Sequence, residues 1–323
     1  MTFVDKLNLP FVTWKNQWAD EVEQITREIA IKTGVFKGDD PIELKRFKGI
    51  IECPAYAYPQ AELKNLALCA RFTSLLWFID DTYDEDQAFA RDEERLVNFM
   101  LSQWRLFLPD TDVEIEATDA LSRFAILLKN DLLEAAKGGE VWLDRLSKSI
   151  YDYLFQGSLK ATQNWVNNIT PDLETYLKLR EYDSGMYPCL DFVEIANGIF
   201  LPDTVVSHPT IQEMRKLCAR ISGCVNDIFS YEKEVKRNND SSNLVHVLMQ
   251  ERSLSLGEGV DAAVTLINAD IAEFLKLEKV VPEFGNEQLQ SQVIQYIEGM
   301  KYWMRGNVDW SLATGRYSIP STP

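Results

Sequence analysis

Histidine is nearly missing from this sequence: 323 residues contain two, His208 and His246. That scarcity removes whole classes of chemistry. A carboxylate-bridged di-iron bundle needs Glu-x-x-His pairs, yet the residues three places before the two histidines are Val205 and Asn243. Nucleophile–histidine triads have little to draw on. His208 precedes Pro209 and reads as a turn residue, and His246 reads as a satisfied helix residue. Basic side chains are also in short supply, 33 Lys and Arg against 50 Asp and Glu, for a formal net charge of −17. Nucleic acid and anionic membranes favour a basic patch, so neither is an expected partner. Metal cations suit the excess carboxylate better. No stretch reaches the roughly 18 consecutive apolar residues of a membrane span. The segment 1–20 carries Asp5, Lys6, Lys15 and Asp20 among its apolar residues and lacks a leader's apolar centre. The five cysteines (Cys53, Cys69, Cys189, Cys218, Cys224) are scattered with no CxxC pair. They read as buried free thiols in a reducing compartment, which places the chain in the cytoplasm.

Strand-like alternation and hairpin turns are nearly absent as well. What fills the sequence is apolar spacing of three and four. From Thr210 to Arg237 the apolar positions include Ile211, Met214, Leu217, Cys218, Ile221, Val225, Ile228 and Phe229, a helical stripe. The same pattern predicts helices near 60–84, 92–107, 115–136, 140–166, 171–199, 259–278 and 287–304. Breaks fall at Pro41, Pro54 to Pro59, Pro109-Asp110, Gly138-Gly139, Thr170-Pro171 and Pro202 to Pro209, and Lys236 to Asn243 reads as a polar loop. None is long enough to be an interdomain linker. The expectation is an all-α fold of about ten helices in one domain spanning 1–323. One of these helices has an interruption: Gly185 and Pro188 fall in its middle, in YDSGMYP. Proline removes a helical hydrogen bond and clashes with the preceding turn, so a kink or break is expected near 184–187.

Two oxygen clusters stand out. The run Phe78-Ile79-Asp80-Asp81-Thr82-Tyr83-Asp84 ends an apolar helix. Asp80 and Asp84, four apart, share a helix face with Asp81 alongside. Carboxylates stacked at a helix C-terminus repel one another and oppose the helix dipole, so a cation should compensate. Hard divalent ions such as Mg2+ take oxygen ligands and bridge carboxylates to phosphates. The second cluster is Asn226-Asp227-Ile228-Phe229-Ser230-Tyr231-Glu232-Lys233-Glu234. Asn226, Ser230 and Glu234 fall at i, i+4 and i+8, so in an α-helix their amide, hydroxyl and carboxylate oxygens line one ridge. They offer three oxygens to one divalent ion. At the tail a helix near Trp303 is followed by GNVDWSLATGRY, with Arg316 and Tyr317 as an anion-binding donor pair.

The order of these motifs resembles the class I terpene synthases of the single-domain microbial type. That family carries a DDxxD motif, then an NSE triad, then a terminal Arg-Tyr pair. The matching residues are Asp80-Asp81-Thr82-Tyr83-Asp84, then Asn226, Ser230 and Glu234 with Lys233, then Arg316-Tyr317 in the ending WSLATGRY. Ahead of the triad, Arg180, Asp183 and Ser184 match the family's diphosphate-sensing Arg, linker and effector on a broken helix. Gly185 competes with Ser184 for the effector position, where glycine is the commoner residue. The likeness runs from about residue 60 to 317.

The resemblance implies a helical bundle around a central apolar cavity and a linear prenyl diphosphate as substrate. Farnesyl diphosphate is the first choice and geranylgeranyl diphosphate the second. It also implies three Mg2+ ions, two held by Asp80, Asp81 and Asp84, chiefly through Asp80, and one by Asn226, Ser230 and Glu234. Arg180, Lys233, Arg316 and Tyr317 would donate to the diphosphate, and a homodimer is common in the family. Loss of diphosphate leaves an allylic cation that must be kept from water and can be stabilised by aromatic faces. The aromatic candidates are Trp77, Phe78, Phe155, Phe192, Trp303 and Trp310. Trp77 and Phe78 are adjacent, so no more than one should face the cavity; core packing is the expected role of at least half of the six. A chain-elongating prenyl transferase should carry a second aspartate-rich motif, where this chain has NDIFSYEKE, and a class II cyclase should show DxDD, which does not occur. A helical interaction protein is the remaining alternative, and it gives no reason for polar groups at these spacings.

Overall fold

Side-chain caps mark where the helices begin. Asp40, Asp92, Asp119, Asp172 and Asn286 each accept a hydrogen bond from a backbone N–H in the first turn of the helix that follows. Ser255 and Glu258 form a reciprocal capping box. The computed structural model describes residues 2–84, 86–109, 119–137, 139–237 and 241–314, with the side chains at 84, 87 and 237 outside that description. In order, the α-helices are α1 (Ala19–Thr33), α2 (Pro41–Ala57), α3 (Leu63–Asp84), α4 (Gln87–Arg91), α5 (Glu93–Arg105), α6 (Ala120–Ala135), α7 (Glu140–Tyr151), α8 (Leu159–Val166), α9 (Leu173–Asp183), α10 (Met186–Asn197), α11 (Asp203–Val206), α12 (Pro209–Tyr231), α13 (Leu244–Arg252), α14 (Leu256–Glu278) and α15 (Glu287–Ala313). The described residues contain no strand, so the all-α expectation holds. Neither α1 nor α2 was expected from the apolar spacing.

Helix α3 lies at the centre. Every residue from Leu66 to Leu76 is buried, so this helix is covered on all sides rather than on one stripe. Helix α10 is similarly enclosed, and the two meet where Phe72 stacks on Phe192 at 4.0 Å between centroids. One apolar cluster continues from α1 through α15. All five cysteines are free and buried, as expected. His208 caps α12, its Nδ1 accepting from the Thr210 N–H.

Three interruptions matter for function. The break expected near 184–187 is present: Gly185 adopts φ +65° between α9 and α10, a left-handed conformation that disfavours a side chain. Pro188 then falls in the first turn of α10, where its missing N–H removes no helical bond. The helix expected over 140–166 contains a π-turn, Asp152–Ser158, between α7 and α8. Gly157 lies in that turn with the Asp183 backbone so close that a Cβ would sit 2.5 Å from its nitrogen. The third interruption corrects the reading of the NSE residues. Helix α12 ends at Tyr231 and a π-turn, Glu232–Arg237, follows, so Glu234 lies off the regular α-helical ridge.

The tail also differs from expectation. Helix α15 does not stop near 304 but runs to Ala313. Gly306, just past the expected end, serves packing: a Cβ there would lie 2.6 Å from the Tyr56 carbonyl oxygen on α2. The polar loop read over 236–243 is partly helical at its start, and its end, Asn243, is fully buried as the cap of α13.

Candidate active site

A cavity of about 230 Å3 lies among α3, the α9–α10 break, α12 and α15. Its wall includes Trp77, Asp80, Arg180, Asp183, Ser184, Gly185, Asn226, Lys233, Glu234, Trp303 and Trp310. The motif residues far apart in sequence are therefore brought to one space. Asp84 has no described side chain, and Arg316 and Tyr317 lie outside the described residues.

Asp80 comes off the last turns of α3, half-buried. Tyr83 and Tyr153 both donate to its Oδ1, Tyr153 from the π-turn between α7 and α8. Burial pushes the carboxyl up to about 6, against these two hydrogen bonds, and Asp183 and Asp81 add to the rise. Asp81 points elsewhere. Its Oδ1 accepts from Arg46 of α2 at 2.7 Å, and it is not part of the cavity wall. The first motif thus presents one described carboxylate to the cavity.

Across from it, Arg180 at the end of α9 lies against α12. Its Nη1 donates to Asp183 at 3.1 Å, and its Nη2 pairs with Asp227 at 2.8 Å and reaches Asn226 Oδ1 at 3.3 Å. Burial opposes the guanidinium's charge, yet Asp227 beside it holds the group protonated above its usual range. Asp227 is fully buried and also accepts from the Tyr176 hydroxyl and the Leu244 N–H. Ser184 Oγ accepts from the Met186 N–H at 3.3 Å and so bridges the break. The sequence reading gave Asp227 no role; its position beside Asn226 on the buried stripe was the available signal.

The second oxygen cluster mixes donor types. Glu234 Oε2 accepts from Asn243 Nδ2 at 3.2 Å, and the same nitrogen donates to the Asp227 carbonyl at 2.9 Å. Ser230 Oγ is buried and has no hydrogen-bond partner among the described residues. A buried hydroxyl without a partner is costly, and a cation beside Asn226 and Glu234 would satisfy it. Among the described residues no three His, Cys, Asp or Glu side chains converge as a preformed metal cage. Amide, hydroxyl and carboxylate oxygens still form a hard donor set suited to a divalent ion that takes its remaining ligands from phosphate. The residues fit such an ion.

The six aromatic candidates divide evenly. Trp77, Trp303 and Trp310 line the cavity, with the Trp77 and Trp310 rings 5.4 Å apart. Phe78, Phe155 and Phe192 do not. Phe78 packs between Phe47 and Phe124, and Phe192 is sandwiched by Phe72 and Trp142 in the core. Phe155 packs against Tyr151 at 4.7 Å. Tyr153 and Trp165, both on the wall, were missed because the π-turn changes which face of that helix looks inward.

The sequence profile of terpene synthase family 2, C-terminal metal binding, matches residues 71–273. The chain belongs to the terpene synthase family. A (+)-T-muurolol synthase ((2E,6E)-farnesyl diphosphate cyclizing) of Roseiflexus castenholzii is 30% identical over 316 residues, covering 97% of this chain and 93% of the relative. A germacrene A synthase of Nostoc punctiforme is 27% identical over 314 residues, covering 96% and 94%. The crystal structure of a-eudesmol synthase superposes with a TM-score of 0.83 at 21% identity, covering 95% of this chain and 99% of that one. The matched region is the family's metal-binding part. Among the described residues no helix is long and apolar enough to cross a membrane.

Proposed function

We propose that this terpene synthase is a Mg2+-dependent cyclase of farnesyl diphosphate, releasing diphosphate and cyclising the resulting carbocation. One observation carries the reading: a single cavity joins a polar rim, Asp80, Arg180, Asn226, Lys233 and Glu234, to a wall bearing four tryptophans, Trp77, Trp165, Trp303 and Trp310. Neither a scaffold nor a chain-elongating enzyme accounts for that combination with one aspartate-rich motif. The farnesyl preference is supported by the name of the muurolol relative. The continuous apolar cluster supports one catalytic domain.

Asp80 would hold two Mg2+ ions together with substrate oxygens, and Asn226, Ser230 and Glu234 would hold a third. When bound, these ions neutralise the leaving group and so supply Lewis-acid assistance to its departure. Arg180 and Lys233 donate to the diphosphate oxygens, with Arg316 and Tyr317 as further donors by family likeness. Arg180 Nε is a buried donor with no hydrogen-bond partner among the described residues, so it has capacity for an anion. The pre-placed positive groups meet charge developing on the leaving oxygen. Trp77, Trp303 and Trp310 face the chain and stabilise the cation by about 1–2 kcal/mol each once water is excluded.

The test is incubation with C10, C15 and C20 prenyl diphosphates, with Mg2+ and with chelator, following diphosphate release and the organic products. Mg2+-dependent release from the C15 substrate with cyclic products is expected. Absence of release from all three, or release indifferent to chelator, defeats the proposal. The related synthases are named for both an alcohol and a hydrocarbon, so likeness leaves the product class open.

A further inference from the structure

In the same cavity, one turn before Asn226 on α12, the wall carries a polar group that the proposed reaction has not used. Ser222 lines the cavity and is 3% exposed, and its Oγ has no hydrogen-bond partner among the described residues. Facing it across the helix interface is Asn307 of α15, also on the wall and buried. Asn307 Nδ2 donates to the Ser222 carbonyl at 2.9 Å, which anchors the amide, and its Oδ1 is an acceptor that this bond does not use. An unsatisfied hydroxyl beside an amide oxygen is a liability in a pocket that must otherwise stay apolar. Apolar residues would serve a purely hydrocarbon product better at both positions.

A buried water resolves the mismatch. Such a water needs two to four polar partners. Here it would donate one hydrogen to Asn307 Oδ1 and the other to Ser222 Oγ. Ser222 can turn its own hydrogen toward the Cys218 thiol, which lies one turn back and feels the hydroxyl. With both hydrogens directed into the wall, the water's lone pairs face the cavity. That orientation suits a nucleophile.

We propose that Ser222 and Asn307 hold a single water that captures the final carbocation, so that this synthase makes a cyclic terpene alcohol. The inference rests on the cyclase reading above. In the step, the water oxygen supplies the electron pair of a new C–O bond to the cationic carbon. The resulting oxonium swings one O–H away from the wall and loses that proton to the diphosphate released by ionisation, which Arg180 and Lys233 would hold. No protein bond is made or broken and nothing is oxidised or reduced. Two wall positions thereby separate capture by water from the competing loss of a proton, which would give a hydrocarbon.

The experiment is conversion of farnesyl diphosphate in 18O-enriched water by the wild-type enzyme, Ser222→Ala and Asn307→Ala. Products are analysed by chiral gas chromatography with mass detection, each normalised to diphosphate released so that a slower variant still reports. Expected from the wild type is one stereoisomer of a cyclic alcohol, two mass units heavier. Either variant should lower the alcohol-to-hydrocarbon ratio about tenfold or more. Diphosphate release with hydrocarbons alone from the wild type overturns the water site, as does an epimeric or acyclic alcohol mixture, which marks capture by bulk water. An unchanged ratio in both variants overturns it too. If one variant does not fold, the other and the wild-type labelling decide. Absence of diphosphate release from the wild type is a different failure: it removes the cyclase reading, and the water site with it.

Discussion

Replacing Asp80 with Asn should stabilise the metal-free protein while abolishing its response to metal and diphosphate. The carboxyl of Asp80 is raised from 3.8 to about 6 chiefly by burial. At about 1.36 kcal/mol per unit, ionising it in the folded state costs up to about 3 kcal/mol. Its partial exposure discounts this to about 1–3 kcal/mol. Asparagine removes the charge but keeps an acceptor for the Tyr83 and Tyr153 hydroxyls, so the local packing survives. For a chain of this size each kcal/mol moves the melting temperature by about 2 °C, so a rise of about 2–6 °C is expected at pH 8.

The pH dependence identifies the cause. A carboxyl with a raised folded pKa leaves the wild type fully stable below the unfolded value of 3.8, and that stability is lost as pH rises through about 6. The advantage of Asp80→Asn should therefore be near zero at pH 3.8, grow through 6, and level off above it. Thermal unfolding followed by circular dichroism across pH 4–8 measures this, in each case with and without Mg2+ and inorganic diphosphate. In the wild type the two ligands together should raise the midpoint far more than either alone, because only the joint complex binds the native state tightly. In the variant the joint shift should vanish. A variant less stable than wild type at pH 8, or an advantage flat across the pH range, would refute the claim that Asp80 is held ionised at a cost until cations arrive.

Three further outcomes are expected. Trp77→Leu should redistribute the products while diphosphate release continues, whereas Phe78→Leu should lower the melting temperature and leave the product profile unchanged, both read by gas chromatography and calorimetry. Arg180→Lys cannot span Asp183 and Asp227 with one ammonium, so turnover should fall at least about tenfold and full activity would move Arg180 out of the site. Asn243→Ala removes both the cap of α13 and the bond to Glu234, so about 1 kcal/mol of stability should be lost in chemical denaturation and the Mg2+ concentration needed for half-maximal rate should rise; an unmoved Mg2+ requirement would make Asn243 a cap alone.

What the sequence showed and what it hid separate along physical lines. The apolar stripe of α12 and the broken helix at Gly185 and Pro188 were legible because local periodicity and backbone chemistry encode them, whereas the convergence of Asp80 with Asn226, Lys233 and Glu234 was implied by the ordered likeness to the terpene synthases. Helix α1 was missed although its buried face, Ala19, Val22, Thr26, Ala30 and Thr33, follows helical spacing; two threonines and two alanines on that face make a thin apolar stripe. The extension of α15 through Gly306 depended on the Tyr56 backbone 250 residues away in sequence. The neighbours of Asp80 depended on a π-turn, which no spacing rule for regular helices anticipates. The six aromatics could not be sorted from sequence, since facing a cavity and facing a core place the same demand on an apolar residue.

The two π-turns are where regular periodicity fails, and both border the cavity. One carries Tyr153, which donates to Asp80; the other carries Lys233 and Glu234. Each extra residue in a helix alters which side chains face inward without ending the helix. On α7–α8 the turn delivers a phenol to a carboxylate on another helix, and Gly157 in the same turn admits the Asp183 backbone at the foot of the α9 break. On α12 the turn carries Glu234 to Asn243, whose amide also holds the Asp227 carbonyl behind Arg180. The acidic groups at the rim are thereby fixed by neighbours from other helices rather than by the helix that bears them. In the proposed reaction, cations arriving with a substrate would meet carboxylates already held in place, which would lower the reorganisation needed as charge develops on the leaving group.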